Sequence, residues 1–90
     1  MTAVAEVHLP QTLLPLFAGI TRCEEVPAAT VGEAIDVLDE RYPGLRDRLC
    51  EPGPVLRRHI AVYVQGKRAS LESPVADGSR VDVIAAITGG

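Results

Sequence analysis

The sequence predicts an α+β fold, a mixed sheet of four to five strands packed on one main helix. Three observations predict it. Residues 30–42 read as a capped helix with a single apolar stripe. Residues 3–9, 59–65 and 80–87 carry strand patterns. Turn residues punctuate the intervals, and no linker or internal repeat divides the chain, so residues 1–90 are read as one domain with a modest core.

The first strand is Ala3 to Leu9. Ala5, Val7 and Leu9 share one face and Glu6 and His8 the other. Pro10 ends it, because proline cannot donate to a ladder. Leu13, Leu14, Leu16 and Phe17 follow around Pro15 and are expected to cap one end of the core from a loop. Ala18-Gly19 signals a turn. Arg22 to Val26 reads as a second, weaker strand, and its paired glutamates place it at an edge or in the open.

The helix is the clearest element. Thr30-Val31-Gly32-Glu33 is a capping box: the threonine hydroxyl can accept from the backbone at Glu33, and the Glu33 carboxylate can reach back. Val31, Ala34, Ile35, Leu38 and Tyr42 then fall on one stripe, while Asp36, Asp39, Glu40 and Arg41 face water. Pro43-Gly44 stops the helix, since the residue before proline is pushed out of the α region. Leu45 and Leu49 fit one further short turn. Glu51-Pro52-Gly53-Pro54 reads as a loop.

In the third strand, His59 to Gln65, Ile60, Val62 and Val64 lie on one face and Ala61 and Tyr63 on the other. A turn at Gln65-Gly66-Lys67 predicts a hairpin partner over Arg68 to Leu71. Asp77-Gly78 introduces the last strand, Arg80 to Ile87, whose near-continuous apolar run fits a central, buried position between the first and third strands. A hairpin, a helical crossover and a second hairpin closed by a central strand fit the β-grasp arrangement.

Composition narrows the function. Only Phe17, Tyr42 and Tyr63 are aromatic, so the core is aliphatic. The net charge of −3 argues against nucleic acid as a partner. No basic amphipathic helix or spanning apolar stretch points to a membrane. The first residues lack a signal-peptide pattern, and a cytoplasmic protein is the expectation. Cys23 and Cys50 match no metal or redox spacing and are expected to be inert, reduced thiols. Four cysteines would be needed for an iron–sulfur cluster, and there are two. His8 and His59 sit in or beside strands with no nucleophile–base arrangement around them. The expectation is therefore a protein without catalytic residues, bound metal or bound cofactor.

The chain closes on Gly89-Gly90 directly after its last strand. Glycine makes up about 7% of residues, so chance alone pairs two there in about 0.5% of chains, and the tail takes its meaning from the rest of the sequence. Without side chains, a Gly-Gly end can thread a narrow channel and present its carboxylate to another protein's active site. A carboxylate is a poor electrophile until ATP converts it to an acyl-adenylate. Sulfide or a persulfide can then displace AMP and leave a thiocarboxylate, making the chain a group carrier. An amine could displace AMP instead and join the chain to a target lysine.

Four stretches resemble the ubiquitin-like sulfur carriers of the MoaD/ThiS family. They are the helix entry Thr30-Val31-Gly32-Glu33-Ala34-Ile35-Asp36-Val37-Leu38, the helix end Arg41-Tyr42-Pro43-Gly44-Leu45, the strand and turn Ile60-Ala61-Val62-Tyr63-Val64-Gln65-Gly66, and Asp77-Gly78-Ser79-Arg80-Val81-Asp82-Val83-Ile84 with the terminal Gly-Gly. The loop from Cys50 to Arg58 and the overall length look most like the family's CysO-type branch. Gln65 stands where the family usually has asparagine, Ser79 where it has a second aspartate, and Ala85-Ala86-Ile87-Thr88 where it often has prolines.

The resemblance implies a β-grasp fold and a carrier role. An E1-like adenylyltransferase/sulfurtransferase would consume ATP and a sulfur donor to convert Gly90 to a thiocarboxylate. A sulfur-accepting biosynthetic enzyme would then use it, for cysteine, molybdopterin, thiamine thiazole or a specialised metabolite. Thr88, Gly89 and Gly90 would thread the partner's active site. Ala61, Tyr63 and Ile84, which alternation places opposite the helix, would form the docking surface. The alternative reading is a protein modifier forming isopeptide bonds through Gly90.

Overall fold

The computed structural model describes residues 3–85. In chain order its elements are β1 (Val4–His8), a 3-10 helix (Gln11–Leu16), β2 (Cys23–Pro27), α1 (Val31–Arg41), α2 (Leu45–Leu49), β3 (Cys50–Glu51), β4 (Val55–Leu56), β5 (Ile60–Val64), β6 (Lys67–Ala69) and β7 (Arg80–Ala85). Five strands form one mixed sheet in the order β2-β1-β7-β5-β6. Strand β7 runs parallel to β1 and antiparallel to β5, so it lies between the first and third long strands, as its sequence predicts.

Alternation sorts the strands onto two faces. Ala5, Val7, Val26, Ile60, Val62, Val81 and Val83 are buried and form one core with Val31, Ala34, Ile35 and Leu38 of α1. Leu45 and Leu49 on α2 are fully buried in the same core. The capping box is present: the Glu33 backbone N–H donates to Thr30 Oγ1 at 3.2 Å, and the Glu33 carboxylate accepts from the Ala29 N–H at 3.0 Å. No described helix is long and apolar enough to cross a membrane.

The structure corrects the expectations in five places. Of the apolar residues after Pro10, Leu13 is buried, while Leu16 is exposed because the 3-10 helix turns it outward. The loop expected over residues 51–54 is the turn of a small antiparallel hairpin, β3–β4. The partner of β5 begins at Lys67, earlier than expected, because the connection is a two-residue turn with positive φ at both Gln65 (51°) and Gly66 (82°). A non-glycine residue is strained there. The longer glutamine side chain has a compensating contact, its Oε1 accepting from the Arg80 N–H at 2.7 Å. The burial of β7 is one-sided: Val81 and Val83 face the core, while Ile84 on the other face is 47% exposed.

The fifth correction concerns the paired glutamates of β2, which is indeed an edge strand. Glu25 is exposed, but Glu24 points under the sheet and is only 8% exposed. Its carboxylate is fully engaged there. Oε2 accepts from the Thr21 hydroxyl (2.7 Å), the Thr21 N–H (3.0 Å) and the Tyr42 hydroxyl (2.9 Å), and Oε1 lies 3.3 Å from Arg41 Nη1. Burial alone would raise the Glu24 pKa, but the hydrogen bonds from Thr21 and Tyr42 and the charge of Arg41 outweigh it and hold the carboxyl below its ordinary value. Because the folded pKa is depressed, this group stabilises the fold above the ordinary carboxylate pKa of 4.5 and loses that contribution as pH falls through and below it. Urea unfolding of the wild type and Glu24→Gln should show the wild type's advantage at neutral pH shrinking with acidification. An advantage independent of pH would contradict the assignment.

Candidate functional site

The face of the sheet opposite α1 carries no covering element among the described residues. The register lines up a row of side chains across it: Cys23 on β2, His8 on β1, Asp82 on β7, Tyr63 on β5 and Arg68 on β6. The Arg68 guanidinium carbon lies 5.9 Å from the centroid of the Tyr63 ring, within reach of a cation–π contact. On the other side of the ring Asp82 is held by Arg80, whose Nε sits 3.0 and 3.1 Å from the two carboxylate oxygens. Ala61 and Ile84 form the next pair toward the end of β7.

A shallow hollow of about 690 Å³ opens on this face, lined by His8, Pro10, Tyr63, Ile84 and Ala85 among others. Tyr63 and Ile84 on its lining give an apolar surface ringed by charge, the form expected of a protein-docking patch. The last described residue of β7, Ala85, lies on the rim. The three docking residues read from the sequence, Ala61, Tyr63 and Ile84, therefore share one face, and two of them line the hollow. Thr88, Gly89 and Gly90 lie outside the described residues.

Residues 15–90 match the ThiS family. The chain belongs to that family. It is similar to the sulfur carrier protein CysO of Mycobacterium tuberculosis, at 29% identity over 90 residues that cover 93% of this chain and 96% of that protein. In three dimensions it resembles a chain of the Amycolatopsis orientalis BexX/CysO complex (TM-score 0.83, 33% identity, 96% of this chain and 99% of that one). It also resembles the small archaeal modifier protein 1 of H. volcanii (TM-score 0.78, 31% identity, 94% and 99%). These neighbours bear out the β-grasp, ubiquitin-like fold, and sulfur carriers of the ThiS and CysO type are small carriers rather than catalysts.

Sequence reasoning missed one cluster in this ThiS-family chain. Glu6, His8 and Cys23 meet on the open face, their ligand atoms all within 4.8 Å of one another. Alternation alone puts Glu6 beside His8. Cys23 joins them only through the β1–β2 register, which pairs His8 with Cys23 across a long connection that no turn motif fixes. Cys23 has no electropositive setting. Desolvation first, then the charges of Glu6, Glu25 and Glu24, raise its thiol pKa. Cys50 is buried, and burial is the main cause that raises its pKa.

The two faces of β7 predict opposite responses to mutation. Ile84→Thr, on the open face, should change unfolding free energy by no more than about 0.5 kcal/mol. Val83→Ala, one residue earlier in the core, should cost about 2 kcal/mol. Denaturant titrations of both variants check the assignment of faces.

Proposed function

We propose that this chain is a sulfur carrier whose working group is the carboxylate of Gly90. One observation carries the reading: a ThiS-family chain whose central strand β7 is the last described element, with Gly89-Gly90 closing the sequence a few residues after it. In the proposed cycle, the Gly90 carboxylate attacks the α-phosphate of ATP in an E1-like adenylyltransferase. Pyrophosphate leaves and an acyl-adenylate forms. Sulfide attacks the acyl carbon and expels AMP, leaving a thiocarboxylate. A persulfide donor would instead form an acyl disulfide, which a second thiol of the partner enzyme cleaves to the thiocarboxylate, that thiol ending in a disulfide with the donor sulfur. A sulfur-accepting biosynthetic enzyme then takes the sulfur and returns the carboxylate. ATP and the donor belong to the partner enzyme. This chain supplies the acyl group and the surface that positions it, and no catalytic residue.

Docking on either enzyme uses the open face, with Tyr63 and Ile84 as the apolar anchors and Ala61 beside them. Threading of Thr88, Gly89 and Gly90 into the partner needs small residues at the end, because each added side chain widens the channel required. The cytoplasm fits this chemistry, since both cysteines are free thiols and sulfur activation by ATP belongs to a reducing compartment.

The second reading, a modifier that forms isopeptide bonds through Gly90, is favoured by the 31% identity to small archaeal modifier protein 1. It shares the adenylate and differs only in the nucleophile, a lysine amine instead of sulfur.

Intact mass spectrometry after incubation with an E1-like enzyme, ATP and a sulfur source separates the readings. Exchange of one oxygen for sulfur, localised to Gly90, is expected. Deletion of Gly90 should abolish the exchange and leave the melting temperature unchanged. Tyr63→Ala and Ile84→Asp should each weaken binding to the E1-like enzyme by about tenfold or more, the loss typical of a hot-spot anchor. An unmodified terminus with lysine-linked conjugates would favour the modifier. Full sulfur transfer by the tail-deleted chain would refute both.

A further inference from the structure

The cluster at the β2 side of the open face has the chemistry of a metal site. His8 Nε2 lies 2.6 Å from Glu6 Oε1 and 3.9 Å from Cys23 Sγ. One ring nitrogen is therefore directed between a carboxylate and a thiol. Among the described residues this is the one group of three such side chains whose ligand atoms converge. Zinc bonds of about 2.0–2.3 Å to nitrogen, oxygen and sulfur put neighbouring ligands about 3.3–3.6 Å apart in a tetrahedron. The observed separations of 2.6 and 3.9 Å bracket those values, and both Glu6 and Cys23 are exposed side chains.

The backbone fixes the site more firmly than exposed side chains usually allow. Glu6 and His8 are two apart on one strand and so share a face. His8 and Cys23 are direct partners in the β1–β2 ladder. The Leu9 N–H donates to the Arg22 carbonyl at 2.7 Å, and the Thr21 hydroxyl donates to the Cys23 carbonyl at 2.8 Å, so the strand end bearing the cysteine is pinned from both sides. Charge points the same way. Glu25 pairs with Glu6 across the ladder, and Arg80, the cation opposite Glu6 on β7, is engaged by Asp82. The thiol therefore lies in a negative field that a dication would relieve.

We propose that Glu6, His8 and Cys23 bind a Zn²⁺ ion through one oxygen, one nitrogen and one sulfur, with a fourth, exchangeable position held by water. A thiolate, an imidazole and a carboxylate together suit zinc better than the harder magnesium or calcium, which take oxygen ligands. On binding, the Cys23 proton leaves to solvent and the sulfur becomes a thiolate ligand. The site is built from β1 and β2 alone and does not depend on the carrier reading or on the chemistry of Gly90.

The test uses the untagged full-length chain with an ordinary carboxylate end under a non-thiol reductant. Zn²⁺ is titrated in competition with a chromophoric chelator, and Co²⁺ is added in parallel as an optical probe. One Zn²⁺ per chain, a thiolate-to-cobalt charge-transfer band and a melting temperature raised by Zn²⁺ are expected. Cys23→Ser and His8→Gln should each lower Zn²⁺ affinity by at least about 100-fold, beyond the loss expected for an outer partner, and Cys23→Ser should erase the band. Cys50→Ser, buried away from the cluster, should leave both unchanged. Absence of the band in the wild type, or equal Zn²⁺ affinity in the wild type and Cys23→Ser, would overturn the site. The optical readout on the wild type keeps the test decisive if a variant fails to fold.

Discussion

Strand β7 holds the two halves of the fold together. The hairpin β1–β2 and the hairpin β5–β6 each pair strands consecutive within the sheet, but in the ladder of hydrogen bonds they are joined through β7, which lies between β1 and β5. The β1–β7 ladder joins opposite ends of the chain and is parallel, so its closure is entropically demanding and must be secured by burial. Val81 and Val83 supply that burial against the same core as Val7, Val62 and Leu38. The turn before β7 adds polar anchors: Val4 N–H donates to Asp77 Oδ1 at 2.9 Å, Gly78 N–H to the Val4 carbonyl at 2.8 Å, and Glu6 N–H to the Ser79 carbonyl at 2.8 Å. Strand β7 is therefore held by ladders on both sides.

The two edges of the sheet are managed differently. At β2, Glu24 sends a carboxylate inward, where Thr21, Tyr42 and Arg41 satisfy it, and this ties the edge strand to the end of α1. An inward charge also makes the edge a poor template for pairing with another chain. At β6 the edge is short and basic, with Lys67 and Arg68. The open face consequently runs from an acidic side at Glu6 and Glu25 to a basic side at Arg68, with Tyr63 and Ile84 between. A docking partner with the complementary gradient is oriented as well as attracted.

Most of this architecture was legible in the sequence because local chemistry dictated it. The capping box, the apolar stripe of α1, Pro43-Gly44 and the alternation of β1 and β5 each have one low-energy answer. The faces of Ala61, Tyr63 and Ile84 followed from period-two alternation alone. Glu24 was misread because inward and outward glutamates look alike until their partners are known, and Tyr42 and Arg41 come from another element. The β3–β4 hairpin was missed because two-residue strands carry no period. Most telling is Cys23. Its place beside His8 depends on the β1–β2 register, and the connection between those strands contains a 3-10 helix in place of a short turn of defined type, so nothing local sets it.

That register has a consequence for how the open face works. His8 belongs both to the metal cluster and to the lining of the hollow that holds Tyr63 and Ile84. Zn²⁺ on Glu6, His8 and Cys23 would cross-link β1 to the edge strand β2 through side chains, stiffening one wall of the hollow. Its two charges would offset Glu6 and the Cys23 thiolate, leaving Glu25 as the remaining negative charge on the acidic side of the face. Both effects reach a docked protein without any change in the core, because the cluster sits on the side of the sheet opposite α1. The separation of faces that lets Val83 hold the fold while Ile84 stays free for contact also lets a metal adjust the contact surface while the fold stays fixed.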